Sequence, residues 1–544
     1  MNIDTIIIGS GAGGLSCALS LAKSGQRVLL LEQHSVAGGW CHSFNIKGKS
    51  FSPGLHYIGL LGEKESSSEL YKGLGIAEDL LFFRMNPKAH EHCWIGEERF
   101  DIPATPEAFA EALITRFPHE KKGILRYLKT VSDVSRELQL IPKMRGFWDA
   151  ITIPWRTRHL GKYGLFSLKR VIDWHVSDPL LKRILNVQCG DHGLPPARAS
   201  FVLHAAVMQH YFQGGYYPMG GGASIVKAFL KAIKAHGSEV RTKQSVKNIL
   251  IEGDLQKRAI GVELQSGEKI YAKHVISNAD PSKTYLELVG STHLSQKLKE
   301  KLQKTEYSCS SLILFVTVEK DVAGLDSGNI WVMPNEDMDE VYEQMMHKDI
   351  ASGEVFQGLF ISCTTLKDPT SFDGKHHVLE VLTFVNYDAF AAFKERPSEY
   401  KDFKNLLTQK MLRTLEKNLP TCKGKIVHYE LGTPLTNEHF INATKGSVYG
   451  TQKSLNQIGP NSFRAKSEIE GLYLCGASVL SHGVAGASFS GVQTAAEVLN
   501  STQEALLFHD GTQVLQIYDA QDSTHYPEWL HAKIEMKKEA QKNL

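Results

Sequence analysis

The stretch from Asp4 to Gly59 constrains the fold more tightly than any other part of the chain. It opens with Thr5-Ile6-Ile7-Ile8, turns through Gly9-Ser10-Gly11-Ala12-Gly13-Gly14, runs on as a small-residue segment from Leu15 to Lys23, and returns as Arg27-Val28-Leu29-Leu30-Leu31-Glu32. A strand, a glycine turn, a helix and a second strand ending in an acid predict a βαβ unit, and with it an α/β fold built on a Rossmann-like layer. Gly9 allows the tight turn off the strand, Gly11 lets a pyrophosphate approach the backbone, and Gly14 lets the helix pack close to the sheet. The amides around Ala12 and Gly13, at the positive end of the helix, suit a diphosphate. Glu32 stands where a carboxylate accepts hydrogen bonds from an adenosine ribose, and its charge opposes a 2′-phosphate. A bound dinucleotide is the expectation; a glycine-rich turn without a ligand is the competing reading.

After Glu32 come Gln33-His34, Gly38-Gly39 and Trp40-Cys41-His42-Ser43-Phe44. This order resembles the flavin-binding amine oxidase and phytoene desaturase superfamily, whose second glycine turn lies along the flavin. Many of its members carry an arginine directly after the paired glycines; Trp40 stands there instead, which counts against amine oxidation. Phe51-Ser52-Pro53-Gly54-Leu55-His56-Tyr57-Ile58-Gly59 resembles the matching segment of the retinol saturases. Asp191-His192-Gly193-Leu194-Pro195-Pro196 and Gly214-Gly215-Tyr216-Tyr217-Pro218-Met219-Gly220-Gly221-Gly222 resemble retinol saturases and carotenoid isomerases. Near the C-terminus, Gly471-Leu472-Tyr473-Leu474-Cys475-Gly476 reads as a strand ending in glycine, and His482-Gly483-Val484-Ala485-Gly486-Ala487-Ser488 as the start of a small-residue helix. That gives ligand atoms a second backbone to approach.

The resemblance spans about Asp4 to Leu499 and implies one FAD held by both ends of the chain. Its expected contacts are Gly9, Gly11, Ala12, Gly13, Gly14, Glu32, Gln33, Gly38, Gly39, His56 and Tyr57, with Val246 on the adenine side. Gly476, Gly483, Val484, Gly486 and Ala487 are expected at the flavin ring and ribityl chain. No second strand-associated GxGxxG occurs, and the glycines at 220 to 222 lack that spacing. Electrons are therefore expected to come from a separate donor or leave to a separate acceptor.

The expected architecture is a Rossmann-like FAD-binding domain, an antiparallel-sheet substrate domain and a helical cap. The FAD-binding parts are 1–105, 212–290 and 431–500. The helical cap is 106–211, where Phe109, Leu113 and Phe117 recur at helical spacing. The substrate region is 291–430, where alternation in Leu312 to Val318, Phe356 to Cys363 and Val378 to Phe384 predicts an antiparallel sheet with one covered face. A tail follows from 501 to 544, its lysine-rich end reading as an anionic-lipid contact or as a solvated helix. The aromatic and basic stretch Ile141 to Arg156 suits a membrane interface or a cap packed on the protein itself.

Charge is nearly balanced, 61 Lys and Arg against 59 Asp and Glu, so no nucleic-acid partner is expected. The eight cysteines are scattered without metal-ligand spacing and read as reduced thiols. His90 and His92 alternate on a strand read as exposed, and no metal is expected there. With a strand beginning almost at Met1 and no apolar run of membrane-spanning length, a cytoplasmic protein, peripheral at a membrane, is the expectation; its oligomeric state is left open.

What the resemblance implies is FAD-dependent redox chemistry on a lipophilic conjugated polyene, nearest in kind to retinol saturation. Desaturation and cis-trans isomerisation are the alternatives within the family. An amine oxidase-like enzyme and a noncatalytic lipid-binding flavoprotein are the alternatives outside it. His56, Tyr217 and His482 are the candidate proton donors because they sit in the motif segments.

Overall fold

The structure is a computed structural model that describes residues 3–140 and 147–542; residues 141–146 of the aromatic, basic stretch lie outside the described residues. The strand Ile3–Ile8 pairs in parallel with Val28–Leu31 on one side and Lys269–Ser277 on the other. Glu239–Arg241 extends the sheet beyond Val28–Leu31, again in parallel. Lys269–Ser277 divides its free edge between the antiparallel Arg258–Leu264 and the parallel Leu472–Leu474. Central parallel strands are covered on both faces, so they read as continuous apolar runs, and Ile6 and Ile7 are fully buried.

The helix Ala12–Lys23 is buried from Ala12 to Ala22 because it lies between that sheet and the helix Gly483–Leu499. Small residues set the spacing of the two helices. Ser16 Oγ donates to Ser488 O at 2.6 Å, and a Cβ on Gly491 would stand 2.1 Å from Gly13 O. Gly14 has the packing role its position suggests, since a Cβ there would stand 2.1 Å from Gly9 O.

The second sheet runs in the order Ile426–Gly432, Ser310–Glu319, His376–Val385, Leu359–Cys363, Asn329–Met333, Glu91–Ile95 and Glu98–Ile102. Two features depart from the sequence expectation. Glu91–Ile95 and Glu98–Ile102, placed by sequence with the N-terminal dinucleotide unit, hydrogen-bond into this sheet, Glu91–Ile95 lying parallel to Asn329–Met333. Both faces of the sheet are covered rather than one. Phe315, Phe360, Leu382 and Phe384 face the cap helices, while Leu314, Val316, Leu379 and Val381 pack toward Leu407, Met411 and Leu415 of the helix Pro397–Asn418.

Among the described residues between 106 and 211 the chain is mainly helical, including Lys121–Leu140 and Phe201–Tyr211. The tail is integrated as well. Gln516–Asp519 pairs in parallel with Leu81–Arg84, and Tyr526 and Leu530 are buried against Leu81 and Phe83. All eight cysteines are free, and among the described residues no helix is long and apolar enough to cross a membrane.

Candidate functional site

The N-terminal glycine turn and the C-terminal helix start come together although Ser16 and Ser488, which join them, are 472 residues apart in sequence. Between them lies a cleft lined by Gly9, Gly11, Ala12, Gly13, Glu32, Gln33, Gly38, Gly39, Val246, Gly476, Gly483, Val484 and Ala487. The remaining expected contacts stand back from its walls. Gly14 packs under the turn, and Gly486 packs on Ser481. His56 and Tyr57 lie deeper, toward the second sheet, in contact with Phe360.

Glycine is required at Gly9, which has φ +91, and at Gly476, which has φ +95. A Cβ on Gly13 would fall 2.6 Å from Asn278 Oδ1 and 2.8 Å from Gly476 Cα. The floor is thus bare backbone approached from two sides, which is what a diphosphate and a flat ring system require. Buried Glu32 organises the acidic end: its Oε2 accepts from Ser10 N at 3.0 Å and Ser10 Oγ at 2.5 Å, and its Oε1 accepts from His34 N at 2.8 Å. Ser10 Oγ in turn accepts from Gly38 N at 3.0 Å, tying the first glycine turn to the second. The cradle fits a flavin dinucleotide.

Several lining residues escaped the sequence reading. Ser10 stands between two glycines of the pattern, which sets no side chain there. Asn278 follows the strand Lys269–Ser277, and Phe440 to Ala443 and Tyr449 arrive from the C-terminal third. The strand end at Ser277 was a usable signal for Asn278, and the glycine-flanked Gly446-Ser447-Val448-Tyr449-Gly450 was one for Tyr449.

The three candidate proton donors occupy two places. His56 Nδ1 lies 3.0 Å from Glu380 Oε2, and the His56 carbonyl accepts from Lys367 Nζ at 2.8 Å. Tyr217, on Tyr216–Pro218, stands in the same region with Lys367 Nζ 5.7 Å from its ring centroid; burial, then the Glu380 charge, push its phenol well above the usual range. Lys367 is fully buried, donates also to Ser362 Oγ at 2.7 Å and to Asn329, and burial lowers its ammonium to about 7.

His482 is the residue preceding the C-terminal helix. Its Nε2 lies 2.7 Å from the Asp191 carbonyl, so that nitrogen carries the hydrogen, and burial lowers the imidazole to about 4. Its ring is 4.8 Å from that of Tyr449, whose hydroxyl donates to Gly190 O at 2.8 Å. Between the two places stands Tyr57, whose hydroxyl meets Glu91 at 2.5 Å and Asp191 at 3.0 Å.

The histidines near the second sheet differ from expectation. His90 is buried rather than on an exposed strand, and burial lowers it to about 3. His92 lies between Asp101, 2.7 Å from Nδ1, and Asp326, 3.0 Å from Nε2. In the cap, His192 and His204 are joined Nε2 to Nδ1 at 3.2 Å beside Cys189, and His204 Nε2 faces Leu185 O at 3.2 Å, while the buried His192 Nδ1 has no hydrogen-bond partner among the described residues.

Comparison with known proteins agrees with this geometry. Residues 12–499 match the family described as flavin containing amine oxidoreductase. The all-trans-retinol 13,14-reductase of Rattus norvegicus is 30% identical over 519 residues, 89% of this chain and 84% of the relative. The chloroplastic prolycopene isomerase of Daucus carota is 26% identical over 513 residues, 91% of this chain and 80% of the relative. A solved putrescine oxidase bound to putrescine shares the fold at a TM-score of 0.61 and 16% identity, covering 92% of this chain and 99% of that one.

Proposed function

The chain belongs to the flavin-containing amine oxidoreductase family, and from that premise we propose that it is an FAD-dependent oxidoreductase acting on C=C or CH–CH bonds of a lipophilic conjugated polyene, a retinoid or carotenoid. The direction we favour is saturation, as in the retinol reductase relative; desaturation and isomerisation are the neighbouring reactions. The observation that carries the reading is a dinucleotide cleft next to a thick aromatic layer between cap and second sheet, where Trp331, Phe360, Phe384 and Tyr342 are all buried. A polyene gains about 0.8 kcal/mol for each methylene-sized unit it removes from water, so an apolar interior of this kind suits it.

When bound, FAD supplies hydride transfer to or from a carbon of the polyene. The chain's own part is placement and proton control. Backbone at Gly11, Ala12 and Gly13 meets the diphosphate at the helix N-terminus, and Glu32 takes the ribose while Ser10 and His34 fix its carboxylate. Gln33 and Val246 flank the adenosine. Gly476, Gly483, Val484 and Ala487 form the wall for the ring and ribityl chain. His482, neutral and donating to the Asp191 carbonyl, fixes the cap loop against that wall.

A separate electron donor restores the reduced state, and the polyene is drawn from a membrane on which the protein docks peripherally. The docking side we favour is the cap, which carries Trp155, 74% exposed, and Leu165, 84% exposed. Trp40 lining the cleft, in the position where amine-oxidising relatives carry arginine, disfavours an amine substrate.

The test is anaerobic: the flavin is reduced with dithionite, retinol or a carotenoid is added, and both spectra are followed. Flavin reoxidation with loss of polyene absorbance is the expected result. A polyene shift with the flavin still reduced means isomerisation. No response in either redox state, with peroxide released from amines, overturns the reading.

A further inference from the structure

We propose that Asp191 is the proton donor of the reaction, a carboxylic acid kept neutral by its place between Tyr57 and an ionised Glu91 and tied through His482 to the wall of the cleft. The proposal rests on the polyene reading above and names the group that reading lacks.

Hydrogen-bond accounting locates the proton. Glu91 Oε1 accepts from the Tyr57 hydroxyl at 2.5 Å and from Trp331 Nε1 at 3.1 Å, and its Oε2 accepts from Gln188 Nε2 at 3.0 Å. Three donors converging on one buried carboxyl favour the carboxylate, against the burial that raises Glu91. The single proton of Tyr57 is committed to Glu91. Asp191 Oδ1 and Oδ2 nevertheless lie 3.1 and 3.0 Å from the same phenol oxygen, which has only lone pairs left to offer. That contact is favourable when Asp191 carries a proton and donates it. Electrostatics agrees: burial, then the charge of Glu91, push Asp191 well above the usual carboxylate range, against the opposing effect of the Tyr57 hydrogen bond.

Position supplies the second half of the argument. Asp191 lies deep in the molecule, yet its neighbours leave it only partly covered, as they do Tyr211, Cys309 and Tyr449. Tyr449 also lines the cleft, and His482, directly before the cleft residues Gly483 and Val484, grips the Asp191 backbone. Asp191 is therefore tied through its own carbonyl to the residue that opens the wall read as facing the flavin ring.

In the step, the Asp191 O–H bond would break and its proton form a C–H bond at one alkene carbon, while the adjacent carbon would gain a C–H bond from the hydride that a bound, reduced flavin supplies. The π bond is lost, the polyene is reduced by two electrons, the flavin is oxidised by two, and Asp191 is left as a carboxylate. Two carboxylates facing one phenol are unfavourable, so Asp191 takes up a solvent proton before the next turnover. The titratable groups around it are Glu91 and Tyr57, Tyr211 of the cap, Tyr342, Tyr449, Cys189 and His482, with Lys367 acting on Glu91.

Two measurements on the flavin-loaded protein test this. Infrared difference spectra of wild type against Asp191→Asn at neutral pH are expected to contain the carbonyl stretch of a protonated carboxylic acid; its absence overturns the proposal whatever the activity. Polyene reduction by Asp191→Asn is expected to fall about 10²–10⁴-fold with the flavin spectrum unchanged; a rate within a few-fold of wild type also overturns it. Glu91→Gln keeps Asp191 but removes the charge that holds its proton. It should move the alkaline fall of the rate, and of the infrared band, to lower pH, and an unmoved band or limb overturns the proposal even if Asp191→Asn loses its flavin. A wild type that leaves polyenes untouched defeats the functional reading instead, while the infrared difference still decides the state of Asp191.

Discussion

Ser10 gives both its backbone N–H and its hydroxyl to one carboxylate oxygen of Glu32, at 3.0 and 2.5 Å, and the same hydroxyl receives the Gly38 N–H at 3.0 Å. One side chain thus joins both glycine turns and the acid at the end of the second strand. Ser10→Ala leaves the buried Glu32 with one fewer donor and Gly38 N–H without its acceptor. A loss of about 1–3 kcal/mol per orphaned group is expected. Since both turns are read as FAD walls, the loss should appear as faster flavin release, measured by the fluorescence of free flavin after dilution. Release as slow as in wild type would remove Ser10 from the cofactor's support.

Gly491 sets the distance between the two buried helices of the cofactor domain. A Cβ there would stand 2.1 Å from Gly13 O, 2.2 Å from Ser16 Oγ and 2.8 Å from Cys17 N, and two of those atoms are backbone. Gly491→Ala must push the helices apart, at a cost of about 1–3 kcal/mol. The expected outcome is a lower Tm together with a lower flavin content, because the shift widens the floor under Gly13. Thermal unfolding with and without added FAD separates the two effects. Unchanged Tm and flavin content would mean the contact relaxes elsewhere.

His92 gives a pH-dependent contribution to stability. Burial works to lower its pKa, but hydrogen bonds donated to Asp101 and Asp326 and the charges of those carboxylates outweigh it and raise the imidazole from 6.5 to about 9. A histidine raised in the folded state contributes fully below its unfolded value and loses that contribution as pH rises through the folded one. The window is therefore 6.5 to about 9. Urea unfolding of His92→Gln against wild type should show a clear destabilisation at about pH 6 that shrinks toward about pH 10. A gap that stays constant with pH would assign the loss to packing instead.

These predictions rest on different depths of reading. The glycine turn, Glu32 and the small-residue helix from Gly483 were legible because each is a local pattern whose spacing follows from backbone geometry. The covered second face of the second sheet was less so: Leu314 and Phe315 both read as apolar, and alternation fades when both sides of a strand are buried. The buried charges were hardest. Glu91, Lys367 and Glu380 look like ordinary surface charges in sequence, and only tertiary pairing brings Glu91 to Tyr57 and Lys367 to the His56 carbonyl. A charge inside the otherwise apolar run Val378-Leu379-Glu380-Val381 was the one local hint. Asp191 stood in a motif recognised as a block, but its carboxyl gained meaning only once Tyr57 was seen against it.

Trp155 and Leu165 are among the most exposed large apolar side chains, and Arg158 and Lys162 lie between them in sequence, on the helix Arg158–Tyr163. Tryptophan beside cations suits the headgroup region of a bilayer. Singly exposed apolar residues occur on most surfaces, so exposure alone does not establish docking. The double variant Trp155→Ser, Leu165→Ser should keep its flavin and its turnover of polyene in detergent micelles, where substrate arrives by collision. With substrate held in vesicles containing anionic lipid, it should float less with the vesicles and turn over more slowly than wild type. Equal flotation and turnover would free the cap of this role and shift attention to the lysines of the helix Glu528–Lys542, which packs by Leu530 and leaves Met536 exposed.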